Sequence, residues 1–378
     1  MYHKLHELTD FIALGVDPKL VKGLTEMKIT SPTPIQEQVI PLLLGGETDL
    51  VGQAQTGTGK TAAYGLPLLQ NIDSSKNRVQ ALVLCPTREL SQQVAKQFFK
   101  FTKYTDKIFT EAVFGGAKID LQIEALRRPT HIIVATPGRL IDLVTRKAVD
   151  LSNVRTVVLD EADEMLSMGF KKELDQILKF SKNARNKWLF SATMPDGIKQ
   201  IVNKHLAEDA HKLEVGAGDV VNKNIEHQFL ICDEMEKLPI LIQFLKAQGK
   251  DRGVVFCKTK AAVIKLEKQL IARNIPAGAI QGDLLQKERD KVMRAFKNET
   301  LQILVATDLA ARGIDVEGLS YVVHYQLPES HEYYTHRSGR TARAGKRGIS
   351  LALVTSPEVK QLRYFEKKLN IGFNQIRS

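Results

Sequence analysis

Short apolar runs recur along this chain, and longer amphipathic stretches separate them. The runs cover residues 49–51, 81–85, 131–135, 156–159 and 188–191, and then 225–232, 253–257, 277–280, 302–306, 321–325 and 349–354. Stretches with a helical spacing of apolar residues include 89–101, 120–127, 260–273 and 359–369. Strands that are apolar throughout, rather than at every second residue, are typical of a parallel sheet covered on both faces. The pattern predicts an α/β fold in which mostly parallel sheets carry helices on both faces.

The chain is long enough for two domains. Its 378 residues, 43% of them hydrophobic, exceed what one hydrophobic core usually covers. The two series of apolar runs are separated by Glu214-Val215-Gly216-Ala217-Gly218-Asp219, a stretch with the composition of a flexible linker. We therefore expect a first domain at 1–213, a linker at 214–224 and a second domain at 225–378.

A glycine-rich loop follows the first apolar run, and it ends in a lysine and a threonine. Its sequence is Ala54-Gln55-Thr56-Gly57-Thr58-Gly59-Lys60-Thr61. Backbone N–H groups and an ammonium in such a loop bind phosphate oxygens, and the threonine hydroxyl suits Mg²⁺. The start of a helix at Lys60 would add its dipole to phosphate binding. The loop therefore predicts a nucleoside triphosphate site.

An acidic group follows another buried run. Asp160-Glu161-Ala162-Asp163 comes directly after Val157-Val158-Leu159. Acidic residues at a strand end can hold Mg²⁺ and orient an attacking water, although a solvated acidic loop would look the same. With the phosphate loop upstream, we assign Asp160 and Thr61 to the metal and Glu161 to the water. The two motifs together predict triphosphate hydrolysis.

A possible base-reading segment lies upstream at Pro32-Thr33-Pro34-Ile35-Gln36, with Phe11 before it. A glutamine amide can pair with the edge of a purine, and an aromatic ring can stack on its face. Taken alone, these residues are better explained by a proline-flanked turn and a core phenylalanine.

Charge favours a polyanionic partner. The chain carries 54 basic and 43 acidic residues, a net charge of +11, which suits nucleic acid but also scattered surface lysines. Its three cysteines, Cys85, Cys232 and Cys257, lie in apolar runs without metal-ligand spacing, which indicates buried thiols in a reducing compartment. No apolar run approaches the ~20 residues of a membrane helix, and no signal-peptide pattern is present. We expect a cytoplasmic protein without a membrane partner.

Four arginines crowd into one short segment near the end of the second series. They are Arg337, Arg340, Arg343 and Arg347, interleaved with glycines and other small residues. A solvated basic face is the simplest explanation of such a run. The small residues favour close approach of the backbone to a ligand instead, and arginine is a planar fork suited to phosphoryl charge.

The motifs appear in an order that resembles the DEAD-box family of ATP-dependent RNA helicases. Besides the phosphate loop and the acidic box, the chain carries Pro86-Thr87-Arg88-Glu89-Leu90, Gly115-Gly116, Thr136-Pro137-Gly138-Arg139, Ser191-Ala192-Thr193, Gln281-Gly282-Asp283, Ala306-Thr307-Asp308, Arg312-Gly313-Ile314-Asp315 and His336-Arg337-Ser338-Gly339-Arg340-Thr341-Ala342-Arg343. These motifs span nearly the whole chain from Phe11 to Arg343.

The resemblance implies two tandem RecA-like domains that bind ATP with Mg²⁺ and RNA, and it implies a role for each matching residue. The catalytic group comprises Lys60, Asp160, Glu161, His336, Arg340 and Arg343, the two last being arginine fingers. The ATP-binding group comprises Phe11, Thr33, Gln36, Gln55, Thr56, Gly57, Thr58, Gly59, Lys60, Thr61, Gly313, Asp315, Arg340 and Arg343. Coupling between the domains is assigned to Asp163, Ser191, Thr193 and His336. The adenine motif departs from the family at Lys28-Ile29, where a glycine and a phenylalanine are usual.

The resemblance also implies contacts with RNA in short turns. These residues are Pro86, Thr87, Arg88, Gly115, Gly116, Thr136, Pro137, Gly138, Arg139, Lys258, Gly282 and Thr307. Backbone N–H groups, hydroxyls and arginines suit phosphate oxygens, which carry no sequence information. Each turn on its own is more typical of an ordinary loop between a strand and a helix.

The expected function is ATP-dependent, local unwinding of short RNA duplexes by a monomeric core. Two alternatives are compatible with the same two-domain fold. One is an ATP-dependent RNA clamp or remodeller of RNA-protein complexes with little strand displacement, and the other is a DNA helicase. A metabolic kinase would share the phosphate loop but gives no reason for Arg340 and Arg343 in a second domain.

Overall fold

The computed structural model describes residues 10–55, 57–215, 224–311, 319–342 and 346–376. The chain divides into two compact units, Met1–Val215 and Gly216–Ser378. Residues 216–223, which make up most of the expected linker, lie outside the described residues, and the preceding Glu214 pairs with Gln53 in a strand ladder.

Strands and helices alternate along the first unit. Its strands are β1 Leu50–Gln53, β2 Ala81–Leu84, β3 Thr110–Val113, β4 Ile132–Ala135, β5 Thr156–Leu159, β6 Asn186–Ser191 and β7 His211–Glu214. Its helices are α1 Pro18–Glu26, α2 Pro34–Leu44, α3 Lys60–Gln70, α4 Arg88–Phe101, α5 Ile119–Leu126, α6 Pro137–Thr145, α7 Ala162–Ser167, α8 Lys171–Phe180 and α9 Asp196–His205.

These strands form one parallel sheet in the order β3-β4-β2-β5-β6-β1-β7. Successive residues of a strand point to opposite faces. In β2, Ala81 and Val83 pack into one apolar cluster, whereas Leu82 and Leu84 pack into another. Both faces are therefore covered, which explains why the central strands are apolar throughout.

The second unit repeats the arrangement. Its strands are β8 Ile225–Ile231, β9 Gly253–Phe256, β10 Ala277–Ile280, β11 Ile303–Ala306, β12 Tyr321–His324, β13 Gly348–Val354 and β14 Asn374–Gln375. Its helices are α10 Lys237–Ala247, α11 Lys260–Ile271, α12 Gln286–Lys297, α13 Asp308–Ala311, α14 His331–Ser338 and α15 Val359–Leu369. The described strands are parallel and lie in the order β10-β11-β9-β12-β13-β8-β14.

When the strands of each unit are numbered from its own first strand, the two sheets have the same strand order. The predicted α/β class, with parallel sheets covered on both faces, is confirmed. The apolar runs did not reveal β3, β7 or β14, which lie at the sheet edges. These edge strands are mostly exposed or half-buried and include polar residues such as Glu111, His211 and Asn374.

Candidate functional site

The loops singled out in the sequence leave the carboxyl ends of their strands, and the sheet order sorts them into two groups. The phosphate loop, the acidic box and the Ser191–Thr193 segment follow β1, β5 and β6, which are neighbours. The first-unit loops expected to contact RNA follow β2, β3 and β4, which are also neighbours. Ligands of open parallel sheets bind at this edge, so one edge offers two adjacent sites.

The phosphate loop turns into α3 through two left-handed glycines. Gly57 has a φ of 81° and Gly59, the residue before the helix, has a φ of 91°. A side chain at Gly59 would collide with the Gln36 amide nitrogen. Lys60 is buried, and its Nζ donates to the Ala54 carbonyl at 2.9 Å. The loop is thereby closed on itself at the start of a helix.

The Gln36 side chain lies against this loop. Its Nε2 donates to the Gly59 carbonyl at 3.0 Å, and its Oε1 accepts from the Thr33 N–H at 2.9 Å. The expected adenine motif and the phosphate loop are therefore in contact. Phe11 is only 1% exposed and belongs to the apolar core of the first unit, which favours the core role that the sequence left open.

Other loop residues have local roles. The Thr58 hydroxyl donates to the Gln55 carbonyl at 2.8 Å, and Thr61 is the second residue of α3. Thr56 lies outside the described residues.

Asp160 directly follows β5 and is a buried carboxylate. Its Oδ2 accepts from the Tyr64 hydroxyl at 2.8 Å, while its Oδ1 is buried and has no hydrogen-bond partner among the described residues. Burial raises the pKa of Asp160, and the Lys60 charge and the Tyr64 hydrogen bond offset part of that rise. Burial also raises the pKa of Tyr64 well above its usual value, so the phenol keeps its proton and donates it. Asp160 Oδ1 could therefore bind a group that the described residues do not supply.

Glu161 adopts a left-handed backbone conformation just before α7, with φ 52° and ψ 51°. This conformation costs a non-glycine residue about 1–2 kcal/mol. Such outliers persist where the surrounding structure holds them in place, and they cluster at functional sites.

Asp163 joins the acidic box to the segment after β6. Its Oδ2 accepts from both the N–H and the hydroxyl of Thr193, each at 2.8 Å. The Asp163 N–H donates to the Ser191 hydroxyl at 3.3 Å, and that hydroxyl donates to the Thr193 carbonyl at 2.7 Å. The structure thus brings together three of the residues expected to couple the domains.

The neighbouring loops of the first unit are connected by two arginines. The Arg88 guanidinium lies 4.8 Å from the centre of the Phe114 ring, beside Gly115. Arg139 donates to the Gln122 Oε1 and to the Ala117 carbonyl, each at 3.0 Å.

These contacts bring the three loops together. Gly115, Gly116 and Gly138 are exposed among them, Thr136 is half-buried, and Thr87 caps α4 by accepting from the Leu90 N–H at 3.3 Å. Pro86 and Pro137 are buried beneath the loops.

The second unit repeats this grouping. Loops after the neighbouring strands β10, β11 and β9 carry Gly282, Thr307 and Lys258. Gly282 and Lys258 are exposed, and Thr307 is buried. The Lys258 N–H donates to the Gln326 Oε1 at 2.8 Å, and Lys260 forms a short ion pair with Asp283 next to Gly282.

The arginine-rich segment begins in α14. His336 is half-buried, and Arg340, in the turn after the helix, is largely buried. Arg337 is 1% exposed and forms an ion pair with Asp308, so this arginine is a core residue rather than part of a solvated basic face. Gly313, Asp315 and Arg343 lie outside the described residues.

Several side chains at these sites were given no role by the sequence: Tyr64, Asp308, Gln122 and Gln326. Tyr64 lies four residues after Lys60, on the same side of α3, so helical spacing could have indicated it. Gln122 and Gln326 carry no motif that would identify them.

Within the part of the chain that the structure describes, no helix has both the length and the apolar character needed to span a membrane.

Comparison with known proteins agrees with the arrangement. Residues 33–201 match the DEAD/DEAH box helicase family, and residues 236–345 match the helicase conserved C-terminal domain.

The chain is 44% identical to the DEAD-box ATP-dependent RNA helicase CshA of Bacillus cereus over 360 residues, covering 95% of this chain and 68% of that protein. It is 43% identical to the ATP-dependent RNA helicase CshA of Listeria monocytogenes, covering 95% and 69%. Among solved structures, it is similar to S. cerevisiae Dbp5 bound to RNA and ADP BeF3, with 31% identity, a TM-score of 0.90, and 97% and 95% of the two chains covered. Two tandem RecA-like domains are thereby established, and the chain belongs to the DEAD-box family of ATP-dependent RNA helicases.

Proposed function

We propose that this protein binds RNA through the sugar-phosphate backbone and separates short duplexes in a cycle that hydrolyses ATP. The observation that carries the proposal is the buried group at the end of β5. There, the Asp160 carboxylate, the Tyr64 hydroxyl and the Lys60 charge act on one another at the start of α3. A buried carboxylate of this kind lowers the stability of the fold, and binding of a triphosphate with its metal ion would explain its presence.

The phosphate loop would bind the triphosphate and Gln36 would bind the base. Backbone N–H groups from Gln55 to Thr61 and the Lys60 ammonium would take the phosphate oxygens. Gln36, held against Gly59, would pair with adenine and so place the phosphates relative to the loop.

Mg²⁺ fits the residues present. Hard cations prefer oxygen ligands, and Asp160 Oδ1 is buried without a partner among the described residues. Asp160 and the Thr61 hydroxyl would hold the ion, which when bound offsets negative charge on the phosphates. Glu161 would orient the attacking water and accept its proton.

The second domain would contribute arginines to the same reaction. Arg340 and Arg343 would stabilise the charge that develops on the transferred phosphoryl group, a contribution of about 10³-fold or more in other triphosphatases. Gly313 and Asp315 would contact phosphate and ribose. His336, with the Asp163–Ser191–Thr193 network, would couple the domains, which we assign to 1–213 and 225–378, with the linker beginning after Glu214, the last residue of β7.

RNA would be held by the loops after β2, β3 and β4 and by those after β9, β10 and β11. Their exposed glycines present backbone donors, and Arg88, Arg139 and Lys258 add positive charge, which suits phosphates rather than bases. We place the protein in the cytoplasm, on the strength of an RNA substrate and of three free, buried thiols.

Strand displacement of a short RNA duplex tests this function. The wild-type protein is expected to release one strand when ATP is present and not when ATP is absent. Glu161→Gln should bind ATP and RNA but hydrolyse ATP about 100-fold more slowly, because general-base assistance is lost. Lys60→Ala should fail to bind ATP. Normal turnover by Glu161→Gln would remove Glu161 from catalysis, and ATP-independent strand release would contradict the proposed coupling.

A further inference from the structure

We propose that Arg337 is a positioning residue that links the RNA-contact loops of the second domain to the turn that carries Arg340. The inference rests on the proposed function, because it takes Lys258 and Thr307 as RNA contacts and Arg340 as a contact to ATP. It assigns roles to Arg337, Asp308 and Gln326, none of which contacts either ligand in our proposal.

Each nitrogen of the Arg337 guanidinium donates a hydrogen bond inside the protein. Its Nε and Nη2 donate to the two carboxylate oxygens of Asp308 at 2.5 and 2.7 Å, and its Nη1 donates to the Gln326 carbonyl at 2.8 Å. The side chain is 1% exposed and its guanidinium lies 5.0 Å from the centre of the Phe256 ring. Because each of the three nitrogens already has a protein acceptor, this arginine is not placed to meet a phosphate.

Both acceptors of Arg337 are connected to the loops proposed to contact RNA. Asp308 lies next to Thr307 in one loop, and Gln326 binds the backbone of Lys258 in another. Asp308 directly follows Thr307 and begins α13, where the Thr307 carbonyl accepts from the Ala311 N–H at 2.9 Å. Gln326 accepts the Lys258 N–H on its side chain at 2.8 Å. A shift of the guanidinium would therefore be transmitted to Thr307 and to Lys258 together.

On the ATP side, Arg337 is continuous with the arginine turn. It lies in the last turn of α14, next to His336, and its carbonyl accepts from the Arg340 N–H at 3.1 Å. The same residue thus fixes the backbone of Arg340 through its main chain and the two RNA-contact loops through its side chain.

The geometry requires an arginine. A bidentate pair with a carboxylate and a third bond to a carbonyl need a planar fork with donors on two edges. A lysine keeps the charge but can satisfy the acceptors only as a point donor. Arg337→Lys therefore removes the link while retaining the buried positive charge opposite Asp308.

The test measures ATPase rates of the full chain against the concentration of a single-stranded RNA. Arg337→Lys is expected to raise the RNA concentration for half-maximal stimulation and to lower the maximal stimulated rate, each about tenfold, the equivalent of one charge-assisted hydrogen bond. Gln326→Ala keeps the main-chain acceptor for Arg337 but releases the Lys258 N–H. It should raise the half-maximal RNA concentration and leave the maximal rate unchanged.

Two controls separate positioning from loss of stability. Leu270→Ala truncates a buried core residue of α11 in the same domain, and it should lower the melting temperature while keeping RNA stimulation. Binding of a fluorescent ATP analogue without RNA should stay normal in Gln326→Ala and Leu270→Ala, neither of which alters the turn that carries Arg340.

The inference is overturned if Arg337→Lys depends on RNA as the wild type does. It is also overturned if the RNA-stimulated ATPase rate of Arg337→Lys falls no further than that of Leu270→Ala. If the wild-type protein itself shows no RNA stimulation, the proposed function fails instead, so the two failures are distinguishable.

Discussion

At the scale of single residues, the proposed ATP site contains a buried carboxylate, Asp160, whose burial is unfavourable in its charged form. Asp160 is 3% exposed and accepts a hydrogen bond from Tyr64 on one oxygen. The pKa of Asp160 is raised because the effect of burial is larger than the opposing effects of the Lys60 charge and the Tyr64 hydrogen bond. Shifted pKa values of this kind cluster at functional sites, which supports the proposed role of Asp160.

The raised pKa gives a signed prediction for Asp160→Asn. Since the folded state binds this proton more tightly than the unfolded chain does, the contribution of Asp160 to stability is complete below the ordinary value of 3.8 and is lost as pH rises through the folded pKa. At pH 7 the ligand-free variant should therefore melt at a higher temperature than the wild type, and below about pH 4 the difference should vanish.

Thermal unfolding followed across pH checks this expectation. Asp150→Asn is the matched control, because hydrogen bonds from Ser152 lower the pKa of Asp150, so this variant should lose stability at pH 7 rather than gain it. If Asp160→Asn is less stable than the wild type at neutral pH, the prediction is wrong. The Lys60 charge and the Tyr64 hydrogen bond would then more than offset the cost of burying the carboxylate.

Gly59 gives a second residue-scale prediction. Its φ of 91° and its closeness to the Gln36 amide exclude a side chain, so Gly59→Ala should lose about 1–2 kcal/mol of stability and bind an ATP analogue more weakly. Gly138→Ala is the control, since an added Cβ there meets nothing within 4 Å. Urea unfolding of both variants is the measurement, and equal stabilities would contradict the assignment of strain to the phosphate loop.

The positions of the phosphate loop and the acidic box in the fold could be predicted from local sequence, whereas contacts between residues far apart in the chain could not. The phosphate loop and the acidic box were readable because strand, turn and helix follow one another along the chain. Arg337 was grouped with its neighbouring arginines, because its partners Asp308 and Gln326 are 29 and 11 residues away. Phe11 could not be separated from a core residue without knowing its burial.

At the scale of elements, α7 and the segment after β6 are joined by Asp163. One carboxylate oxygen holds both polar groups of Thr193, so the acidic box cannot shift without moving this segment. We expect this connection to transmit the state of the nucleotide site toward the RNA loops.

Thr193→Val tests that connection. The valine keeps the backbone hydrogen bond to Asp163 but loses the hydroxyl, which should cost about 1–2 kcal/mol of stability. ATP hydrolysis should be largely retained while strand displacement falls. Thr193→Ser restores the hydroxyl and should behave like the wild type, so a valine variant that unwinds RNA as fast as the serine variant would contradict the role.

The central strands were predictable, whereas the three polar edge strands β3, β7 and β14 were not. A central strand of a parallel sheet is buried on both faces and therefore apolar throughout, as in β2 and β4. The edge strand β7, His211–Glu214, has three exposed residues, and its sequence resembles a loop. Edge strands are often polar because an apolar edge invites aggregation.

At the scale of the whole molecule, two units with the same strand order carry complementary parts of one proposed reaction. In each sheet the loops proposed for RNA follow one set of three neighbouring strands. In the first unit, the loops proposed for ATP follow the adjacent set. Repetition of the topology thus places the loops that we propose for RNA at equivalent positions in the two sheets. ATP-dependent binding of RNA by these loops is the claim on which the proposed function depends.

The most direct test of that claim is the ATPase rate of the intact chain with saturating single-stranded RNA, with DNA of the same sequence, and with neither. RNA should raise the rate severalfold above the unstimulated level, and DNA should leave it nearly unchanged. A rate that is the same with and without RNA would contradict the claim, as would equal stimulation by DNA.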